Sequence, residues 1–146
     1  MAETPTFDVF EERVAQGLIK APLTGLPRFL DARIIAVTPG KLTATLDVRD
    51  ELLTPFGSLH GGVIAALVDH VLGCVLYPLV PRGAWAATTE FKLNYLAAVR
   101  RGTVTAEATV LALTKRTAVV RIDVSNDGRL ACIAQGTVLI VEQAAK

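Results

Sequence analysis

His60-Gly61-Gly62 opens a long apolar run, and Asp69 is the only acidic residue within that run, nine positions after the histidine. These four residues could carry chemistry. The first backbone N–H groups of a helix have no intrahelical partner, and the helix dipole favours negative charge beside them. Glycine lets a ligand approach that backbone closely. Gly61 and Gly62 therefore suit an oxyanion hole for a polarised carbonyl; they equally suit a tight turn packed against a strand. An aspartate in an apolar helix is paired or functional. Asp69 is accordingly a candidate base or nucleophile, or a buried partner of an arginine or a backbone N–H. His60 could orient the loop, bond a substrate carbonyl or cap the helix start.

Spacing limits how these groups cooperate. Gly61 and Asp69 are eight positions apart on one helix, a rise of about 12 Å. One carbonyl cannot touch both on the same helix. If both act together, they come from two copies of the chain, set opposite one another across a two-fold axis. His70 should point to another face than Asp69, since adjacent helical residues diverge by about 100°. Cys74 has no evident activating base and reads as core.

The elements that must hold these residues are legible in the hydrophobic periodicity. Phe7 to Ile19 has helical spacing, which predicts an N-terminal helix over about 5–20. Pro22, Gly25 and Pro27 break the chain. From Phe29 the period becomes two, and two strands follow around Pro39-Gly40. His60 to about Tyr77 is apolar all round and predicts a buried helix, ended by Pro78, Pro81 and Gly83. Four more strands follow, with Ala87, Thr89, Phe91, Leu93 and Tyr95 expected on one face of the first. Asn126-Asp127-Gly128 signals a tight turn before the last. Short links imply an antiparallel sheet, and curling it around the apolar helix is the economical arrangement. The fold class is α+β, one domain over 1–146 with its core at about 28–142. Uncovered sheet would favour self-association.

The chain has 146 residues, 51% of them hydrophobic, and a formal charge of +1. That near balance argues against a nucleic-acid partner read through a basic surface. The spacing of two cysteines and two histidines does not suit a zinc site. The N-terminus lacks the pattern of a signal peptide, which predicts a cytoplasmic protein. Gly61 to Val80 could be mistaken for a membrane span, but Asp69 and His70 at its middle make that costly; no membrane partner is expected.

Gly57-Ser58-Leu59-His60-Gly61-Gly62 followed by Leu67-Val68-Asp69 resembles the hotdog-fold acyl-CoA thioesterases, specifically their phenylacetate-type branch. Thr88 to Leu96, Gly128 to Ala131 and Gln135-Gly136-Thr137 are similar to that branch's later strands. The resemblance covers about Phe29 to Val141. It implies a helix wrapped by an antiparallel sheet, a homodimer or homotetramer, and hydrolysis of an acyl-CoA with water as second substrate and no cofactor or metal. It implies that the Gly61 N–H polarises the thioester carbonyl, that Asp69 of the partner chain activates water or attacks, and that His60 supports the glycine end, with Gly62 beside it. It also implies a hydroxyl on the third strand: Thr88 by register, although strand alternation would instead put Thr89 with Phe91. Thr54 stands where many relatives have Asn. Arg100, Arg101, Lys115 and Arg116 could meet the CoA phosphates or be solvated turn charges. Phe56, Val63, Leu67 and Trp85 could lie near the acyl group. Two other functions fit the same fold: a non-catalytic acyl-CoA-binding module, and an acyl-thioester hydratase or dehydratase using His60 with Asp69.

Overall fold

The computed structural model describes residues 5–144. Its elements in chain order are helix α1 (Glu12–Lys20), helix α2 (Gly25–Leu30), strands β1 (Arg33–Thr38) and β2 (Lys41–Asp47), helix α3 (Gly61–Cys74), and strands β3 (Trp85–Tyr95), β4 (Thr103–Leu113), β5 (Thr117–Asn126) and β6 (Arg129–Val141). Short 3₁₀ turns at Asp50–Leu52 and Tyr77–Leu79 flank α3. The six strands form one antiparallel sheet in the order β1-β2-β4-β5-β6-β3. This is the expected hotdog arrangement: α3 lies in the curl of the sheet and touches β2 through β6.

Alternation in the strands builds the core. Leu42, Leu46, Val104, Val120, Ile122 and Val124 point inward and meet Leu67, Val68, Val71 and Leu72 of α3, all at 1% exposure or less. Burying each such side chain contributes roughly 1.5–3 kcal/mol. Close approach of helix and sheet depends on glycine at position 136, where a Cβ would sit 2.7 Å from Leu72; at Gly73 a Cβ would be in ordinary contact, 3.7 Å from the Ala86 Cβ. The segment from Gly61 to Leu79 is long and apolar enough to cross a membrane, and more than half of it is buried against the sheet. The β5–β6 turn is Asp127-Gly128, with φ of 51° and 75°. Two positive φ values in a two-residue loop are what a tight hairpin of right-twisted strands requires.

The structure corrects several boundaries. The N-terminal helix starts at Glu12 rather than near residue 5. The Glu11 N–H donates to Pro78 O, and the Phe7 ring packs directly against Gly40, so residues 7–11 run between the β1–β2 turn and the Tyr77–Leu79 turn. Residues 25–30 form a short helix where a break and then a strand were expected. Pro27 lies in its first turn, where a missing N–H costs nothing. The Arg49 guanidinium donates to Phe29 O and stacks on the Phe29 ring, holding the helix end. β1 begins only at Arg33 and carries a bulge at Ile35, so Val37 rather than Ala36 turns inward.

Candidate active site

Helix α3 begins where the chain leaves a loop braced on both sides. The Leu59 N–H donates to Val99 O and the His60 N–H to Leu52 O. His60 is the N-cap: its Nδ1 accepts the Gly62 N–H at 2.9 Å. An imidazole accepting at Nδ1 carries its proton on Nε2 when neutral, which leaves Nε2–H as a donor on an exposed side chain. The Gly61 N–H donates to no backbone carbonyl among the described residues. Of the two glycines, Gly61 thus offers an open donor, while the Gly62 N–H is occupied by His60.

Asp69 lies two turns further along. It is exposed, contrary to the enclosed position expected from an apolar helix. The sheet covers α3 on most sides but leaves open a strip that includes Gly62 and Asp69. Seven residues bring a helix nearly back to the same angle, so these two share a face. Asp69 and His70 form one wall of a cavity of about 180 Å³ between α2 and α3, whose other lining is Leu26, Pro27, Leu30, Ala32, Ala66 and Leu67. A second recess of about 420 Å³ shares Leu26, Leu30 and Ala66 and runs to His60, Gly62 and Val63. The two recesses form a trough along α3, floored by Leu26, Leu30 and Ala66, with His60, Gly62 and Glu51 at one end and Asp69 and His70 toward the other. Sequence reasoning missed α2 as a wall of this trough because its Gly and Pro read only as breakers.

His70 turns from Asp69 toward Cys74, whose Sγ lies 3.7 Å from its Nδ1. Cys74 therefore has a basic neighbour that the sequence did not reveal. Burial nevertheless pushes its thiol up to about 11, and burial lowers the His70 pKa against the opposing pull of Asp69. Both are neutral near pH 7, so the pair does not generate a thiolate nucleophile.

The bulge in β3 sets the two threonines apart. Thr88 pairs with Val138, whereas Glu90 pairs with Thr137, and Thr89 is the extra residue between them. Directly opposed residues on antiparallel strands point to the same side. Val138, Ala134 and Cys132 are buried, so their partners Thr88, Leu93 and Tyr95 all face α3. The expected Ala87-Thr89-Phe91 face is corrected: inserting one residue shifts the alternation. Thr89 spends its hydroxyl on Thr137 O at 3.1 Å. Ala86 adjoins Gly73 and Tyr95 adjoins Gly61, so β3 runs antiparallel to α3. Two strand residues from Ala86, about 7 Å, bring Thr88 level with the Asp69 turn.

Thr54 does not serve as an open contact. Its Oγ1 lies 3.2 Å from Ser58 Oγ and accepts the Phe56 N–H, closing the turn before His60. Arg100 reaches the same turn, its Nη1 donating to Phe56 O at 3.5 Å, and the Arg101 carbonyl accepts from Asn126. Lys115 and Arg116 lie in the β4–β5 turn, beyond the far end of β4 from Arg101. That strand is about 35 Å long, so the four basic residues do not cluster in one chain.

A family model described as the thioesterase superfamily matches residues 56–133, more than half of the chain. The 1,4-dihydroxy-2-naphthoyl-CoA hydrolase of Listeria monocytogenes is 30% identical over 117 residues, covering 80% of this chain and 95% of that protein. Human acyl-coenzyme A thioesterase 13 is 30% identical over 104 residues, covering 70% and 74%. The crystal structure of a thioesterase from Haemophilus influenzae superposes with a TM-score of 0.78 at 28% identity, covering 97% and 96% of the two chains. These matches agree with the curled sheet, its central helix and the His60-Gly61-Gly62 helix start, and the chain belongs to the thioesterase superfamily as a hotdog-fold thioester hydrolase.

Proposed function

We propose that the protein hydrolyses acyl-CoA thioesters at sites shared between two subunits, with Asp69 of one chain facing Gly61 of the other. The observation that carries this reading is the strip of α3 left open by the sheet. It holds an exposed carboxylate at Asp69 and, at the helix start, an open Gly61 N–H. The two are about 12 Å apart along one helix, too far for one thioester. A second copy supplies the missing half. Its seat is suggested by β3, an eleven-residue strand at the edge of the sheet. An edge of that length is a template for pairing with another strand. Antiparallel pairing of two β3 strands would bring the Tyr95–Gly61 end of one chain toward the Thr88–Asp69 end of its partner.

In this arrangement the thioester carbonyl accepts from the Gly61 N–H and the His60 Nε2–H, which stabilise its oxygen as charge develops. The Asp69 carboxylate takes a proton from water as the water oxygen bonds to the carbonyl carbon. The C–S bond then breaks, and the CoA sulfur leaves with that proton as the thiol. If Asp69 adds directly, the C–S bond breaks and CoA leaves as the thiolate while a mixed anhydride forms; water then cleaves the anhydride to the acid and the Asp69 carboxylate, and the proton released goes to the thiolate. Thr88 assists from the Asp69 side, Gly62 keeps His60 in place, and Arg100 and Arg101 meet CoA phosphates near the Phe56 turn. The CoA-thioester relatives support the substrate class.

The test is thiol release from a panel of aryl and aliphatic acyl-CoAs, wild type beside Asp69→Asn. Hydrolysis should fall at least about 100-fold in the variant, the usual scale for a positioned acid–base group, with acyl-CoA affinity retained. Unchanged turnover would remove Asp69 from the mechanism. Mixed dimers of Asp69→Asn with a Gly61 variant should regain part of the activity; heterodimers without recovery would exclude a shared site. Single turnover in ¹⁸O water tests for direct attack, because an anhydride cleaved at the aspartyl carbon leaves the label in Asp69 and the acid unlabelled, whereas water adding to the thioester carbon leaves the label in the acid.

A further inference from the structure

The Tyr95 hydroxyl donates to Gly61 O at 2.7 Å, linking the last residue of β3 to the first residue of α3. The contact is steric as well. A Cβ on Gly61 would lie 3.1 Å from the ring Cζ and from the hydroxyl oxygen. Tyr95 is itself 54% exposed, so burying an aromatic ring in the core does not account for its place. Burial and the nearby Cys132 hold its hydroxyl above the ordinary phenol range, and it stays a donor at neutral pH.

Resting on the shared-site reading above, we infer that Tyr95 is a positioning residue for the Gly61 end of the site, with its ring packed so closely there that a Cβ at position 61 would push it aside by a few tenths of an ångström. The argument is geometric. Gly61 is the first residue of its helix, where no preceding turn holds the backbone. Helix ends fray, and an oxyanion donor loses its advantage if it moves between orientations. His60 pins Gly62 from the loop side. Tyr95 pins Gly61 from the sheet side, with the ring against the Cα and the hydroxyl on the carbonyl. It also ties the donor to β3, the strand that carries Thr88 at its other end. One strand thereby sets both halves of the site relative to its own edge, and through that edge relative to the partner chain.

The experiment uses the full chain with Tyr95→Phe, which keeps the ring and removes the donor, and Gly61→Ala, which presses a methyl group onto the ring. Tyr95→Phe should lower kcat about tenfold, leave KM within twofold and leave the oligomer unchanged. A residue that only stabilises the fold would not separate kcat from KM in this way. Combining Tyr95→Phe with Gly61→Ala should cost less than twofold beyond Gly61→Ala alone, because the contact is already displaced. The second readout needs no turnover: the backbone ¹⁵N order parameter of Gly61, from NMR relaxation, should fall in Tyr95→Phe while residues 64–72 stay unchanged. Wild-type kcat in Tyr95→Phe, fully additive losses in the double variant, or an unaltered Gly61 order parameter would each overturn the inference. If the wild-type protein releases no thiol from any acyl-CoA, the shared-site reading falls, and the relaxation measurement still decides whether Tyr95 holds Gly61.

Discussion

His60 Nδ1 lies 2.9 Å from the Gly62 nitrogen and accepts its hydrogen, so the histidine of the motif caps the helix that the motif begins. Losing a capping side chain costs about 1 kcal/mol. His60→Ala should lower stability by about that amount in urea melts, whereas His60→Asn, which retains a capping acceptor, should recover most of it. Because Asn lacks the Nε2–H, it should not restore thioester hydrolysis. Full recovery of both properties by Asn would mean that the cap is the whole role of His60.

Thr88 and Thr89 should separate cleanly. Thr88→Val removes a hydroxyl facing α3 at the level of Asp69 and should lower kcat several-fold with little effect on stability. Thr89→Val removes the hydrogen bond to Thr137 O at the bulge. It should cost about 1 kcal/mol of stability and leave kcat within twofold. Steady-state kinetics alongside thermal melts would show the reverse pattern if Thr89 were the residue reaching the site.

His70 gives the fold a pH dependence whose sign follows from its surroundings. Burial lowers its pKa below the ordinary 6.5. Between the lowered folded value and 6.5, the unfolded chain binds more protons, so stability rises with pH. The His70 contribution is present above about pH 6.5 and is lost as the pH falls through the folded value. His70→Gln should flatten the urea-melt stability between pH 5 and 7. A variant whose profile matches the wild type there would show that His70 is not the group responsible.

Gly136→Ala should be among the costliest small substitutions in the chain. Its Cβ would meet Leu72 Cδ1 and Phe91 Cβ at 2.7 Å and Glu90 O at 2.8 Å. The last of these is backbone and cannot swing away. Overpacking of this kind costs about 1–3 kcal/mol. A melting temperature unchanged from wild type would mean that β3 and β6 can part at the bulge without loss.

What the sequence determined by itself was everything encoded by local period and local chemistry. Alternation from Leu42 to Leu46 and from Val104 to Val110, and the apolar run after Gly61, specify strands and a helix because each side chain's face follows from its position along one element. Asp127-Gly128 specifies its turn because few residues accept positive φ. The His60-Gly61-Gly62 start and Asp69 were visible for the same reason, and so was the separation of Gly61 from Asp69 along the helix, since it rests only on helical rise. Tertiary structure decided the rest. Period alone could not show that one strip of α3 stays open, because exposure of Asp69 depends on where a distant sheet stops. It could not place Thr88, because a single inserted residue at Thr89 reverses the faces before it. Tyr95 looked like one more member of an apolar face until β3 was laid antiparallel to α3 and its hydroxyl met Gly61. In each case the deciding contact joins residues far apart in the chain, and no local pattern carries that information.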